Sequence, residues 1–226
     1  MKTREAFCVC AALLLMTCAT HGKRGEISFP PAPMYGMVYD ADNQPCAGVQ
    51  VGVDGSAGPQ TDIRGRFILP EISRGEHTVS AKKSGYETLL VGISFLNRTD
   101  VLHLRMTSFG QLLGMAEKSL GEQRWADAEA FLRRAEKLDP EDAVLRYLLA
   151  IKAYKTGAFS IAADYLAAIL ASGNAAPSVY IFLADICEKN PGERGRAVAC
   201  LESYLTLRPD PAVEKRLEEL KGRAEK

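Results

Sequence analysis

The stretch "RWADAEAFLRRAEKLDP", Arg124 to Pro140, sets Trp125, Ala128, Phe131, Leu132 and Ala135 at three- and four-residue intervals and stops on Asp139-Pro140. The spacing predicts an amphipathic helix with one apolar stripe, and the proline ends it because it lacks an N–H and clashes with the preceding turn. The stretch recurs. Trp125 and Phe159 stand 34 residues apart, and Ala128 with Ala162 and Leu132 with Leu166 share that offset. On the preceding helices Met115, Leu149 and Leu183 repeat at 34, as do Ala116, Ala150 and Ala184. Ala197 and Leu201 follow Ala162 and Leu166 by 35, so the turn "KNPGERG" (Lys189 to Gly195) carries one extra residue, which turns tolerate.

A helix-turn-helix unit of this period, with Ala116, Ala128 and Pro140 in the first copy, Ala150 and Ala162 in the second, and Ala184, Ala197 and Pro209 in the third, resembles the tetratricopeptide repeat. Two departures stand out: Arg146 occupies a place that is large and apolar in such repeats, and "ASGNAAP" (Ala171 to Pro177) replaces the closing proline of the second unit. The resemblance implies three stacked helical hairpins over residues 108–211. The segment "PAVEKRLEELKGRAEK" then reads as a polar-faced capping helix, 212–226, since a solenoid must close its last apolar face.

In such a fold the first helix of each hairpin lines the concave surface. By register the ligand-facing residues are Leu113, Glu117 and Leu120, then Val144, Tyr147, Ile151 and Tyr154, then Ile181, Asp185 and Glu188. The expected groove site is Leu113, Glu117, Tyr147, Ile151, Tyr154, Ile181 and Asp185. Tyr147, Ile151 and Tyr154 share one face, an apolar strip that is costly to leave bare. Either an external protein segment with apolar anchors and a few basic residues covers it, or the chain's own domains or a second copy do. Leu113 and Glu117 stand where some repeat families place Lys and Asn to clamp a carboxylate, which argues against that mode.

Residues 35–107 read differently. "YGMVYD", "GVQVGVD", "GRFILP", "HTVSAKK", "YETLLVGISF" and "DVLHLRM" are short β-rich runs separated by turn residues, the pattern of a small antiparallel sandwich. "GMVYDADNQPCAGVQVGV" followed by "TDIRGRFILPEISRGEHTVSAKKSGYE" resembles the carboxypeptidase-regulatory-like family, a transthyretin-like sandwich. Gly65 supplies a turn free to take positive φ, Phe67 and Leu69 point inward, and Val79 and Ala81 alternate with Thr78 and Ser80. "GVDGSAG" (Gly52 to Gly58) reads as a loop, without the spacing of a nucleophile elbow. The whole chain is therefore α+β and multidomain: a β-sandwich followed by an all-α solenoid.

At the N-terminus Lys2 and Arg4 precede the apolar run Ala6 to Met16, too short to span a bilayer and suited to a signal-peptide core. Leu15-Met16-Thr17-Cys18 resembles a bacterial lipobox, implying lipidation of Cys18 after residues 1–18 are read as signal and anchor. The alternative is cleavage after Ala19. Residues 19–34, polar and then proline-rich in "SFPPAPM", read as a tether. Cys46, Cys187 and Cys200 remain, too few and too scattered for a disulfide framework; Cys187 and Cys200 are either small buried thiols or a pair across one hairpin.

Lys+Arg 28 balance Asp+Glu 28, which removes the field that would draw the chain to nucleic acid. The three histidines, His21, His77 and His103, stand in no HxxE or HExxH context, so neither a catalytic zinc nor another cofactor is expected. The expectation is a non-enzymatic, membrane-tethered envelope lipoprotein, facing the periplasm, that binds a protein partner through its helical groove. A second expectation makes the sandwich a cell-wall- or carbohydrate-binding module on Tyr35, Tyr39 and Tyr86, with the repeats as spacer.

Overall fold

The computed structural model describes residues 30–173 and 175–222. Cys18, the signal segment and residues 19–29 of the expected tether lie outside the described residues. Among the described residues seven strands come first. β1 (Ala32–Tyr39), β4 (Arg66–Ile72) and β7 (Val101–Arg105) form one sheet in the order β4-β1-β7. β2 (Gln50–Val53), β3 (Ser56–Gln60), β5 (Gly75–Lys82) and β6 (Leu89–Phe95) form the other, in the order β3-β2-β5-β6.

Alternation decides which face of each strand is buried. β1 buries Ala32, Met34 and Val38 while Pro33 and Tyr35 stay exposed, and β4 buries Phe67 and Leu69 between the exposed Arg66, Ile68 and Pro70. Val51, Val79, Ala81 and Phe95 of the second sheet join them in one core. Gly65 has φ +74, and a Cβ there would stand 2.5 Å from the carbonyl oxygen of Val38, whose own N–H donates to Gly65 O at 2.8 Å. Only glycine meets both demands.

Three expectations change. The region is not wholly antiparallel, because β1 and β7 pair in parallel: the chain crosses to the second sheet for β5 and β6 and returns beside β1 in the same sense. The expected tether ends early, since Ala32 and Met34 already belong to β1; Pro33 sits where the pairing with β4 shifts register, a place that does not need its missing N–H. And Ser56–Gln60, expected as a loop, is the edge strand β3, where Pro59 is tolerated because one side of an edge is unpaired.

The helices are α1 (Phe109–Gly121), α2 (Trp125–Glu136), α3 (Ala143–Lys155), α4 (Phe159–Ala171), α5 (Pro177–Glu188), α6 (Arg194–Leu207) and α7 (Pro211–Gly222). Ser108 and Gln111 form a reciprocal capping box on α1, Asp142 caps α3 through Leu145 N–H at 2.8 Å, and Pro177 occupies the first position of α5. Every small residue of the repeat is buried: Ala116, Ala150, Ala184, Ala128, Ala162 and Ala197 each show 0% exposure, as do Leu132, Leu166 and Leu201. The alanines let paired helices approach and the leucines fill the space between; truncating any of these leucines to Ala would cost about 2–5 kcal/mol.

The spacing reaches further than three hairpins. α1, α3, α5 and α7 begin 34 residues apart, so α7 stands in register as a fourth first helix. Val213 and Leu217 are buried in the places of Val179 and Leu183, but exposed Glu218 replaces buried Ala184.

Between β7 and α1 there is almost no linker. Phe109 N–H donates to Gly85 O at 2.8 Å and Glu87 N–H to Thr107 O at 3.0 Å, while Gln111 Nε2 donates to Asp42 at 2.6 Å. These bonds seat the start of α1 on the β-region.

Candidate functional site

The strip on α3 is where sequence and structure meet. Tyr147 is half-buried and meets Phe182 of α5 edge-on, with centroids 5.8 Å apart at 71°. Beside it opens a cavity of about 640 Å³ walled by Tyr147, Ile181, Phe182 and Tyr204, with Ser178, Asp185 and Arg208 at its polar edge. A smaller hollow of about 230 Å³ adjoins it, sharing Tyr147 and Ser178 and reaching the 55% exposed Val144. The lining is divided about evenly between an apolar, aromatic side and a polar side, so it can hold a side chain that carries both characters.

The polar groups divide unequally. Asp185 is taken by Arg216 of α7, which also holds Glu188, so the capping helix neutralises acidic residues along α5. Arg208 has no ion pair among the described residues. Tyr204 donates its hydroxyl to Asp210 at 3.3 Å, which holds the ring against the cavity.

The expected site residues are not all brought together. Tyr147, Ile181 and Asp185 line the cavity. Leu113 and Ile151 instead pack, half-buried, against the core of the first hairpin, and Glu117 is exposed on α1. Leu120, expected to face a ligand, is buried at 8% because it closes the α1–α2 core. Tyr154 is engaged from within: it meets Phe182 at 5.3 Å and Phe159 at 5.5 Å, and the Lys189 ammonium sits 4.5 Å from its centre and 5.1 Å from that of Phe159. A cation between aromatic faces is held by their quadrupoles, so this end of the strip is covered by the chain itself.

Phe182, Ser178, Tyr204 and Arg208 were not expected there. Phe182 had a visible signal, since it stands 34 after Leu148 on the same helical course. Tyr204 and Arg208 did not, because they lie at the end of a second helix, α6, which runs 14 residues against 12 for α2.

The histidines also gain partners. His77 Nδ1–H donates to Asp54 Oδ2 at 2.6 Å and Nε2–H to the Ser73 carbonyl at 2.9 Å, while Asp54 Oδ1 accepts Thr78 N–H at 2.8 Å. The bond to Asp54 holds the imidazole pKa above its ordinary value. Ser73 Oγ stands 3.4 Å from Nε2, so serine, histidine and aspartate fall in triad order. Both ring nitrogens face better acceptors, however, so Nε2 presents a proton where a general base must present a lone pair. The cluster clamps the β2–β3 hairpin tip to the β4–β5 connection, where the chain passes from one sheet to the other.

Cys46, Cys187 and Cys200 are free and buried. Burial, followed by the bond from its thiol to Glu193, pushes Cys187 up to about 12. Cys187 stands in the repeat place of Ser119 and Ala153, all three buried, which makes it a small packing residue. Among the described residues no group of three or more His, Cys, Asp or Glu could hold a metal ion, and no helix is long and apolar enough to cross a membrane.

Comparison with known proteins agrees with the repeat spacing: residues 119–186 match the family model of the tetratricopeptide repeat. Search of curated proteins returned no significant match. Among solved structures, the N-terminal domain of stress-induced protein-1 from C. elegans is similar at 14% identity and TM-score 0.45, covering 50% of this chain and 94% of that one. The Yersinia enterocolitica type III secretion chaperone SycD, solved with a peptide of the translocator YopD, is similar at 18% identity and TM-score 0.46, covering 51% and 93%. The first TPR of Spaghetti, bound to an HSP90 peptide, stands at 15% and 0.46, covering 52% and 96%. The tetratricopeptide-repeat match thus spans α2 to α4 and most of α5, within a run of helical hairpins that follows a two-sheet β-region.

Proposed function

We propose that the chain is a non-enzymatic interaction scaffold that holds a protein segment in the cavity beside Tyr147. The observation that carries this is the cavity itself: Tyr147, Ile181, Phe182 and Tyr204 give it one aromatic and apolar side, which is left open among the described residues. Tyr147 and Ile181 are the anchors in this reading, and Tyr154 is a supporting residue. Peptides are bound by the SycD and Spaghetti structures, and the same use of repeats is carried to this chain as part of the proposal.

The rest of the proposal concerns place. Lys2, Arg4 and the apolar run to Met16, with Leu15-Met16-Thr17-Cys18 behind them, support export and lipidation at Cys18, with the chain in the cell envelope on the periplasmic side. The β-region is read as a carboxypeptidase-regulatory-like, transthyretin-like module that carries the repeats away from the membrane.

A photo-crosslinking amino acid at Ser178, exposed on the cavity edge, tests the site against one at Glu136, exposed on α2. Adducts with one discrete protein from Ser178 and none from Glu136 support the reading. Equal adducts from both, or none from either, overturn it.

A further inference from the structure

The outer face of the three-stranded sheet carries a second candidate site, independent of the helices. Because β1 pairs with β4 on one side and β7 on the other, its outward residues form cross-strand rows: Tyr35 between Ile68 and Val101, Met37 between Arg66 and His103, then Tyr39 beside Arg105. The first row is bare, with Tyr35 48%, Ile68 50% and Val101 50% exposed. Two rows along, the rings of Tyr39 and His103 lie nearly parallel, 14° between planes and 6.1 Å between centroids. They line a hollow of about 460 Å³ whose rim is the Asn43 amide and the Arg105 guanidinium, joined by a 2.6 Å hydrogen bond.

We infer that this face binds a neutral saccharide chain. A pyranose ring has C–H groups on its faces and hydroxyls around its edge. The faces pack on electron-rich aromatic rings, and the edge hydroxyls need planar groups offering donors and acceptors in one plane. Tyr39 and His103 supply parallel faces, and Asn43 and Arg105 supply the planar rim. Arg105 is oriented by an amide and not by a carboxylate, which leaves its remaining N–H donors for hydroxyl oxygens. The apolar row at Tyr35 lies about 13 Å away along β1, at ~3.3 Å per residue, so the face suits a chain of sugars better than a single unit.

Saturation-transfer NMR on the purified full chain, with cellotriose and tri-N-acetylchitotriose as probes, tests the inference. Saturation reaching the sugar ring C–H protons, weakened about ten-fold by Tyr39→Ala and by His103→Ala and unchanged by Tyr147→Arg, supports it. Circular dichroism checks each variant. Should either ring variant unfold, Asn43→Gly decides, because it removes the rim amide while suiting the φ of +60 at that turn. No transfer to either probe, or transfer indifferent to all three changes, overturns the inference. So does a dimer in sedimentation that Tyr39→Ala dissolves, which would make the face a contact between copies of the chain.

Discussion

Arg134 of α2 grips the Glu87 carboxylate of the β-region with two hydrogen bonds, 2.9 Å from Nε and 2.6 Å from the guanidinium tip. The pair holds the Glu87 carboxyl below the usual carboxylate range and raises the arginine in turn. Both side chains are partly open to water, so Arg134→Ala is expected to cost only about 1 kcal/mol. Its larger effect is local: amide exchange at Phe109 and Glu87 accelerates while that of Leu166 and Leu201 does not. A depressed carboxyl stabilises fully above its unfolded pKa and ceases to do so as pH falls through the folded one. Wild type should therefore lose this contribution below about pH 4.3. A variant whose acid sensitivity and exchange match wild type contradicts the account.

Gln123 and Gly157 stand 34 apart in the same turn between paired helices, with φ +60 and +82. The turn needs a left-handed residue, and glutamine is strained there. Gln123→Gly should stabilise by about 1 kcal/mol, read as a higher urea midpoint with unchanged m. A lower midpoint contradicts this.

Ser119 has its hydroxyl buried without a hydrogen-bond partner among the described residues. Ala153 fills the same repeat place. Ser119→Ala should be neutral to about 1 kcal/mol stabilising, because a lone buried hydroxyl has given up water for nothing. Thermal denaturation measures it, and a loss of 1 kcal/mol or more would show that the hydroxyl has a partner after all.

His77 carries its proton more tightly folded than unfolded, chiefly through Asp54. A raised pKa stabilises fully below the unfolded value near 6.5 and loses that contribution as pH rises through the folded one. NMR titration should find His77 titrating above that value in wild type and lower in Asp54→Asn. An unmoved titration would mean that the ion pair does not form in solution.

The helical array was legible because its period is carried by residues that cannot be exchanged freely: an alanine fits where two helices touch, and Ala116, Ala150 and Ala184 repeat at that contact. Strand positions were legible from alternation, as Phe67 and Leu69 show, but strand direction was not, since period two is the same for parallel and antiparallel neighbours. Edge strand β3 was hidden by Pro59, whose turn preference outweighs the pairing that an edge allows. Of the site, Tyr147 on α3 and Ile181 and Asp185 on α5 followed from the repeated face of the first helix of each hairpin. Phe182 stands in the repeat place of Leu148, but its contact with Tyr154 joins two helices, and Tyr204 and Arg208 arrive from the end of α6; contacts between elements leave no period in either one.

The most direct measurement is a crosslinked pull-down from native envelopes, comparing wild type with Tyr147→Arg/Ile181→Arg and with Lys189→Ala, all verified as folded by circular dichroism. One discrete protein partner should be retained by wild type and Lys189→Ala and lost from the double variant, because two guanidinium groups crowd the aromatic side of the cavity while the strip at Tyr154 stays covered by Phe159 and Phe182. The same partner held equally by the double variant would contradict it and assign the cavity to packing alone.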